Sequence, residues 1–179
     1  AVGDFDYALV QTVPKSRSPI FENATEAAHA ILGDYRKYRE AAGREGPFRI
    51  RVSDSQTLFA GQGVLAAETM RLINAGMKVG DIRQRISDLT PKTSGYAVVP
   101  DLYYVHKRAR KKGDKSVGFV GALMGSALDI KPILCARQDQ TFPVAKVRGF
   151  ETAVEKMFTH ACTCVEEGLL TPIVCVSYA

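Results

Sequence analysis

Two short runs carry the side chains best suited to chemistry. Lys15-Ser16-Arg17-Ser18 follows an aliphatic stretch and stands directly before a helical pattern. Hydroxyls beside the free N–H groups of a helix start suit an anion such as a carboxylate or a phosphate. Ser18 can also act as an N-cap with Pro19 at the first helical position, and the two roles are compatible. Asp54-Ser55 follows a second aliphatic run, Arg49 to Val52. In a parallel α/β sheet the C-terminal strand ends line the ligand crevice. Asp54 and Ser55 therefore read equally as ligand contacts or as a turn closing the strand.

Gly61-Gln62-Gly63-Val64-Leu65-Ala66 fits the dinucleotide pattern G-x-G-x-x-G/A, and Asp81 falls roughly where a ribose-binding acid would. That fingerprint needs its first glycine in a tight turn straight off a strand. Here a long loop separates Val52 from Gly61, which argues against it. The run from His106 to Lys115 is strongly basic and includes Lys111, Lys112 and Lys115. It reads as a solvated helix end, as a docking site for an acidic partner or, least well, as a nucleic-acid contact, since no aromatic platform interleaves it. His29, His106 and His160 are scattered, with no metal-ligand spacing and no adjacent nucleophile motif. No nucleophile elbow, Walker loop or paired-carboxylate signature is found. The pattern favours binding over catalysis and calls for no metal and no cofactor.

The elements that must hold these residues follow from periodicity. Phe5 to Thr12 reads as a buried strand. The helix after Ser18 has the apolar face Ile20, Ala24, Ala27, Ala28, Ile31, Leu32 and Tyr35, and Gly43 and Gly46-Pro47 close it. Phe48 to Val52 is a second strand, and a helix runs from about Gly61 to Ala75 with Gly76 as its stop. This β-α-β-α order predicts parallel strands with crossover helices. Beyond Met77 the order changes. A helix from Val79 stops at Pro91, Gly95 to Val99 is a strand, and Asp101 caps a helix reaching Arg110. Val117 to Leu128 is a small-residue helix. Ile130 to Ala136 and Thr141 to Val147 form a hairpin, and Phe150 to Glu167 is a helix with Val154, Met157, Phe158, Ala161 and Val165 inward. Pro172 to Tyr178 reads as a last strand. The expected division is residues 1–76, part of an α/β domain, and 77–179, an α+β domain incomplete at its C-terminus. Beginning and ending on strands, the chain reads as an internal piece of a longer protein.

The 179 residues are 46% hydrophobic and 24% charged with a net charge of +5, an ordinary soluble balance that can bury a core. No apolar run approaches the ~20 residues that span a bilayer, and the start resembles no signal peptide. Cys135 and Cys175 sit in apolar runs as buried strand thiols, and Cys162 and Cys164 share a helix on different faces. This argues for four reduced thiols and a cytoplasmic protein.

Along the chain come Phe21-Glu22-Asn23-Ala24, Val52-Ser53-Asp54-Ser55 and Phe59-Ala60-Gly61-Gln62-Gly63, then Gly125-Ser126-Ala127-Leu128-Asp129-Ile130-Lys131-Pro132-Ile133 and Lys146-Val147-Arg148. This order of motifs resembles the DegV family, the fatty-acid-binding subunits of bacterial fatty acid kinase. The resemblance implies a two-domain α/β and α+β fold (the family's EDD fold) with an acyl chain buried in it. It also implies no catalysis by the chain itself, only presentation of the carboxylate to a separate kinase that makes an acyl phosphate. Ser18 falls where the family's carboxylate-binding serine falls. Ser16, Asp54 and Ser55 are further expected contacts, with Phe59, Gly61, Gln62 and Gly63 in the next segment, and Lys111, Lys112 and Lys115 the kinase-docking residues. No nucleic-acid partner and no stable membrane insertion are implied. The chain departs from the family in several places. The Thr-Ser-x-Pro-Ser turn and the histidine-bearing C-terminal segment have no counterpart. Asp114-Lys115-Ser116-Val117 stands where the family commonly has Gly-Gly-Arg-Ile, and Pro19 replaces a glycine. The alternative reading is a phosphotransferase-like α/β enzyme using Ser18, Asp54 and the basic run on a small phosphorylated molecule.

Overall fold

The computed structural model describes residues 2–103, 107 and 129–178. The chain divides into two compact units, Ala1–Gln56 and Thr57–Ala179. The division thus falls after Gln56, where the sequence pattern placed it after Gly76. The reason is packing: the helix Gly61–Asn74 (α2) lies against the helix Val79–Leu89 (α3), so it belongs to the second unit rather than the first.

In the first unit, β1 (Tyr7–Thr12) and β2 (Arg49–Asp54) pair in parallel, with Tyr7 opposite Arg49 and Thr12 opposite Asp54. The crossover is α1 (Ile20–Ala41). The helix ends where Gly43 and Gly46 take positive φ, a conformation that costs glycine nothing. Phe48, Ile50, Val52 and Asp54 alternate with exposed Arg49 and Arg51, so one face of β2 is covered and the other is wet. Two expectations change here. Phe5 is exposed and outside β1, whose residues are mostly half-buried. On α1 the buried stripe is narrower than the sequence pattern. Ala28 is buried and Ala24 and Tyr35 are half-buried, while Ile20, Ala27, Ile31 and Leu32 are exposed. A pair of strands is too narrow to cover a full apolar helix face.

The second unit is built on an antiparallel sheet in the order β3-β4-β5, with β3 at Gly95–Val98, β4 at Ile130–Arg137 and β5 at Gln140–Arg148. The β4–β5 turn is Gln138-Asp139, both at positive φ, as a two-residue hairpin of this hand requires. α4 (Phe150–Glu167) packs Ala153 against Ile133 and Val147, with Met157 and Tyr96 beside them. Its covered side differs in part from the expected one. Val154, Met157 and Ala161 are half-buried as expected, but Phe158 and Val165 are exposed, while Ala153 is buried and Cys164 half-buried. α2 and α3 bury Leu65, Leu72, Ile82, Ile86 and Leu89, and a 3-10 turn, Thr90–Lys92, leads into β3. Asp101 Oδ1 accepts from the Tyr103 N–H at 2.7 Å, as its capping role demands. The remainder of that helix and the small-residue helix lie outside the described residues, apart from Lys107. Pro172–Tyr178 is not a strand. Its burial alternates as in a strand, but no ladder partner lies beside it among the described residues. Cys175 accordingly sits half-buried in this tail rather than in a sheet.

Candidate functional site

At the C-terminal edge of the parallel pair, each strand end is fastened to the other. The Thr12 hydroxyl donates to the Ser53 carbonyl at 3.3 Å, and the Ser53 hydroxyl donates to the Val10 carbonyl at 3.3 Å. The Ser55 N–H reaches the Thr12 carbonyl at 3.2 Å, which carries the register one residue past β2 and buries Ser55. Asp54 divides its two oxygens. Oδ1 accepts from the Gln56 N–H at 3.0 Å, closing a local turn in which Gln56 has a positive φ. Oδ2 is buried without a hydrogen-bond partner among the described residues. The turn reading of Asp54 therefore accounts for one oxygen and leaves the other available to a donor.

After β1 the chain makes a turn closed by the Arg17 N–H on the Pro14 carbonyl at 2.9 Å. Ser16 is exposed and Ser18 half-buried in it. Pro19, not Ser18, occupies the N-cap of α1, and no side chain among the described residues caps that helix. The expected capping role of Ser18 is thus not realised, because the helix begins one residue later than a serine cap needs. The first-turn N–H groups keep their pull on an anion, offset in part by Glu22 in the same turn. Ser16, Ser18, Asp54 and Ser55 all belong to the first unit and to the same end of its sheet.

The remaining expected contacts lie in the second unit. Phe59 takes a positive φ and stays exposed, an uncommon state for a bulky side chain. Gln62 Nε2 donates to the Thr57 carbonyl at 3.2 Å and so braces its own loop. Gly61 and Gly63 have packing reasons. A Cβ on Gly61 would come within 2.5 Å of Thr57 Oγ1, and one on Gly63 within 3.2 Å of Cys175 Sγ. Thr57 in turn is fully buried, its hydroxyl donating to the Ala136 carbonyl of β4 at 2.9 Å. Residues 55–60 separate β2 from α2, so the glycines do not form the tight strand-to-helix turn of a dinucleotide site. Lys111, Lys112 and Lys115 lie outside the described residues.

Three polar clusters escaped the sequence reading. Arg39 is buried in the first unit with every donor engaged. Glu68 is buried in the second between Arg71 and Thr171. His160 touches both Tyr96 and Cys164. The i,i+3 spacing of Glu68 and Arg71 and the i,i+4 spacing of His160 and Cys164 were the available signals. Among the described residues no three His, Cys, Asp or Glu side chains are placed to hold a metal, and no helix is long and apolar enough to cross a membrane.

A parallel crossover unit with a polar strand edge, followed by an antiparallel sheet backed by a helix, defines a two-unit mixed α/β protein. The family described as "Uncharacterised protein, DegV family" matches residues 1–179, and the chain belongs to the DegV family. A DegV domain-containing protein of Xanthomonas campestris pv. campestris is 51% identical over 175 residues, which cover 98% of this chain and 56% of that protein. The chain thus spans little more than half the length of that relative. Among solved structures, a DegV family protein from Ruminococcus gnavus with vaccenic acid matches with a TM-score of 0.66. Its identity is 21%, covering 89% of this chain and 51% of that one. A stearic acid-binding protein from Eubacterium ventriosum matches equally at 0.66, with 18% identity, covering 89% of this chain and 49% of that one. These likenesses show the mixed α/β fold.

Proposed function

We propose that this chain is part of a cytoplasmic carrier that binds a long-chain fatty acid and performs no chemistry on it. The observation that carries the reading is the shared fold with DegV proteins described with vaccenic and stearic acid. The sheet edge supports it. Ser18 and Ser16 stand before an uncapped helix start, where a carboxylate gains from N–H groups and hydroxyls. The acyl tail supplies affinity at about 0.8 kcal/mol per buried methylene, while the carboxylate needs donors wherever it leaves water. Phe59, Gly61, Gln62 and Gly63, with Asp54 and Ser55, remain the further contacts of this proposal.

Native mass spectrometry of the purified protein, followed by denaturing extraction, is expected to recover a fatty acid at one per chain. Ser18→Ala removes one hydrogen bond to a charged group, about 1.5–3 kcal/mol, and is expected to weaken fatty acid binding about tenfold or more. A clean apo mass with no uptake of added oleate would sink the carrier reading. An unchanged affinity in Ser18→Ala would move the carboxylate elsewhere.

The finer part of the proposal is that the bound carboxylate is offered to a separate kinase that docks on the basic run. Reversing Lys111, Lys112 and Lys115 to Glu is expected to abolish kinase pulldown and leave lipid content intact. Retention of the kinase by the triple variant rules that docking site out.

A further inference from the structure

The cysteines of the second unit differ sharply in their surroundings. Cys164 lies one helical turn beyond His160 on α4, its Sγ 3.7 Å from the imidazole Nε2. The same Nε2 is 3.2 Å from the Tyr96 hydroxyl, and the two rings meet edge to face with centroids 5.2 Å apart. Tyr96 is itself packed against the core residues Ile133, Val147 and Ala153. The imidazole is therefore held from the sheet side by a residue that is itself held. Cys162 lies two residues earlier on the same helix, is exposed, and projects to a different face. Cys135 is buried in β4, and burial pushes its thiol up from its ordinary range, away from reactivity.

We propose that Cys164 is a peroxide-reactive thiol, with His160 as its base and Tyr96 as the residue that positions the imidazole through the edge-to-face ring contact. A nucleophile beside a base that a third group orients is the arrangement that activates thiols. In the step, Nε2 takes the thiol proton and the thiolate sulfur attacks one oxygen of hydrogen peroxide. The O–O bond breaks, and the leaving hydroxide recovers the proton from Nε2–H as water. Sulfur is oxidised to the sulfenic acid and peroxide is reduced. A small oxidant suits a half-buried thiol, whereas bulky reagents would favour the more exposed Cys162.

The two helix cysteines make an internal comparison and the buried one reports folding. The purified chain is treated with limiting hydrogen peroxide in the presence of a sulfenic-acid trap, and each cysteine is read by peptide mass spectrometry. Accessibility alone ranks Cys162 first. The adjacent base ranks Cys164 first. The expected result is Cys164 trapped about tenfold faster than Cys162 with Cys135 untouched, the excess vanishing in denaturing urea. His160→Gln is expected to bring the ratio to one or below while Cys135 stays protected. A native ratio of one or less overturns the proposal, and so does a His160→Gln ratio equal to that of the parent.

Discussion

Glu68→Ala is expected to destabilise the second unit by about 3 kcal/mol and to release the tail beyond Gly168. The Glu68 side chain is completely buried. Its carboxylate accepts from Arg71 at 2.7 and 2.9 Å and from the Thr171 hydroxyl at 2.7 Å, with Arg85 Nε at 3.8 Å. Arg85 also donates to the Leu170 carbonyl, so a single acidic group ties α2, α3 and the tail together. Breaking a buried ion pair from one side costs about 3–5 kcal/mol. The lower end applies because Arg71 and Arg85 are each nearly half exposed and can rehydrate. The orphan left behind is the Thr171 hydroxyl, itself buried. The Arg71 hydrogen bonds hold the Glu68 carboxyl down at about 2 against the opposing effect of burial, with Thr171 and Arg85 helping. Its stabilisation is therefore complete above the ordinary carboxylate pKa and is lost as pH falls through about 2. Urea unfolding of parent and Glu68→Gln at neutral and acid pH measures this, since the amide cannot contribute to the acid-side slope. Hydrogen exchange across residues 169–178 reads the release of the tail. Unchanged exchange there in Glu68→Ala would mean that the tail is held by something else.

What the sequence revealed and what it hid divide along sequence separation. α4 and the β4–β5 hairpin were legible because turns and periodicity are local: apolar residues at helical spacing over Phe150–Glu167, and Gln138-Asp139 at the turn. The unit boundary was not, because it depends on α2 leaning on α3 rather than on any composition break. The tail failed for the opposite reason. Its alternating apolar pattern is real, but a strand also needs a neighbour, and periodicity carries no information about neighbours. The polar strand edge at Asp54 was visible from position alone, since ligand sites favour strand ends. Its division into one satisfied and one unpartnered oxygen was not. Ser18 shows how a correct location can come with a wrong local role. Its place before α1 was legible, but the start of the helix moved by one residue and took the cap with it. The buried charges were hidden most deeply. Thr171 lies 103 positions from Glu68, and Asp6 lies 33 from Arg39. Nothing in a window of ordinary length could join them.

Arg39→Lys is expected to destabilise the first unit almost as much as Arg39→Ala, by about 3 kcal/mol, although it preserves the charge. Arg39 is only 2% exposed near the end of α1. Its Nε donates to the Gly46 carbonyl at 3.0 Å, and Nη1 donates to the carbonyls of Val2 at 3.2 Å and Phe5 at 2.9 Å. Nη2 donates to the Glu45 carbonyl at 2.7 Å and to Asp6 Oδ1 at 2.7 Å. One planar fork thus fastens the segment before β1 to the loop between α1 and β2. A lysine ammonium concentrates its three donors on one nitrogen and cannot reach acceptors on three sides of a guanidinium. The carbonyls it abandons carry the cost, not the ion pair. Asp6 is 68% exposed at its side chain. The Arg39 hydrogen bond, with that of Arg44 second, lowers its pKa, yet water competes for the carboxylate throughout. Asp6→Asn should therefore change stability far less than Arg39→Lys. Unfolding curves of the three variants decide between geometry and charge. If Arg39→Lys matches the parent while Asp6→Asn is damaging, the ion pair rather than the carbonyl network holds the unit. The reverse order places the stability in backbone groups that β1 and β2 cannot satisfy themselves, lying as they do before and between the strands.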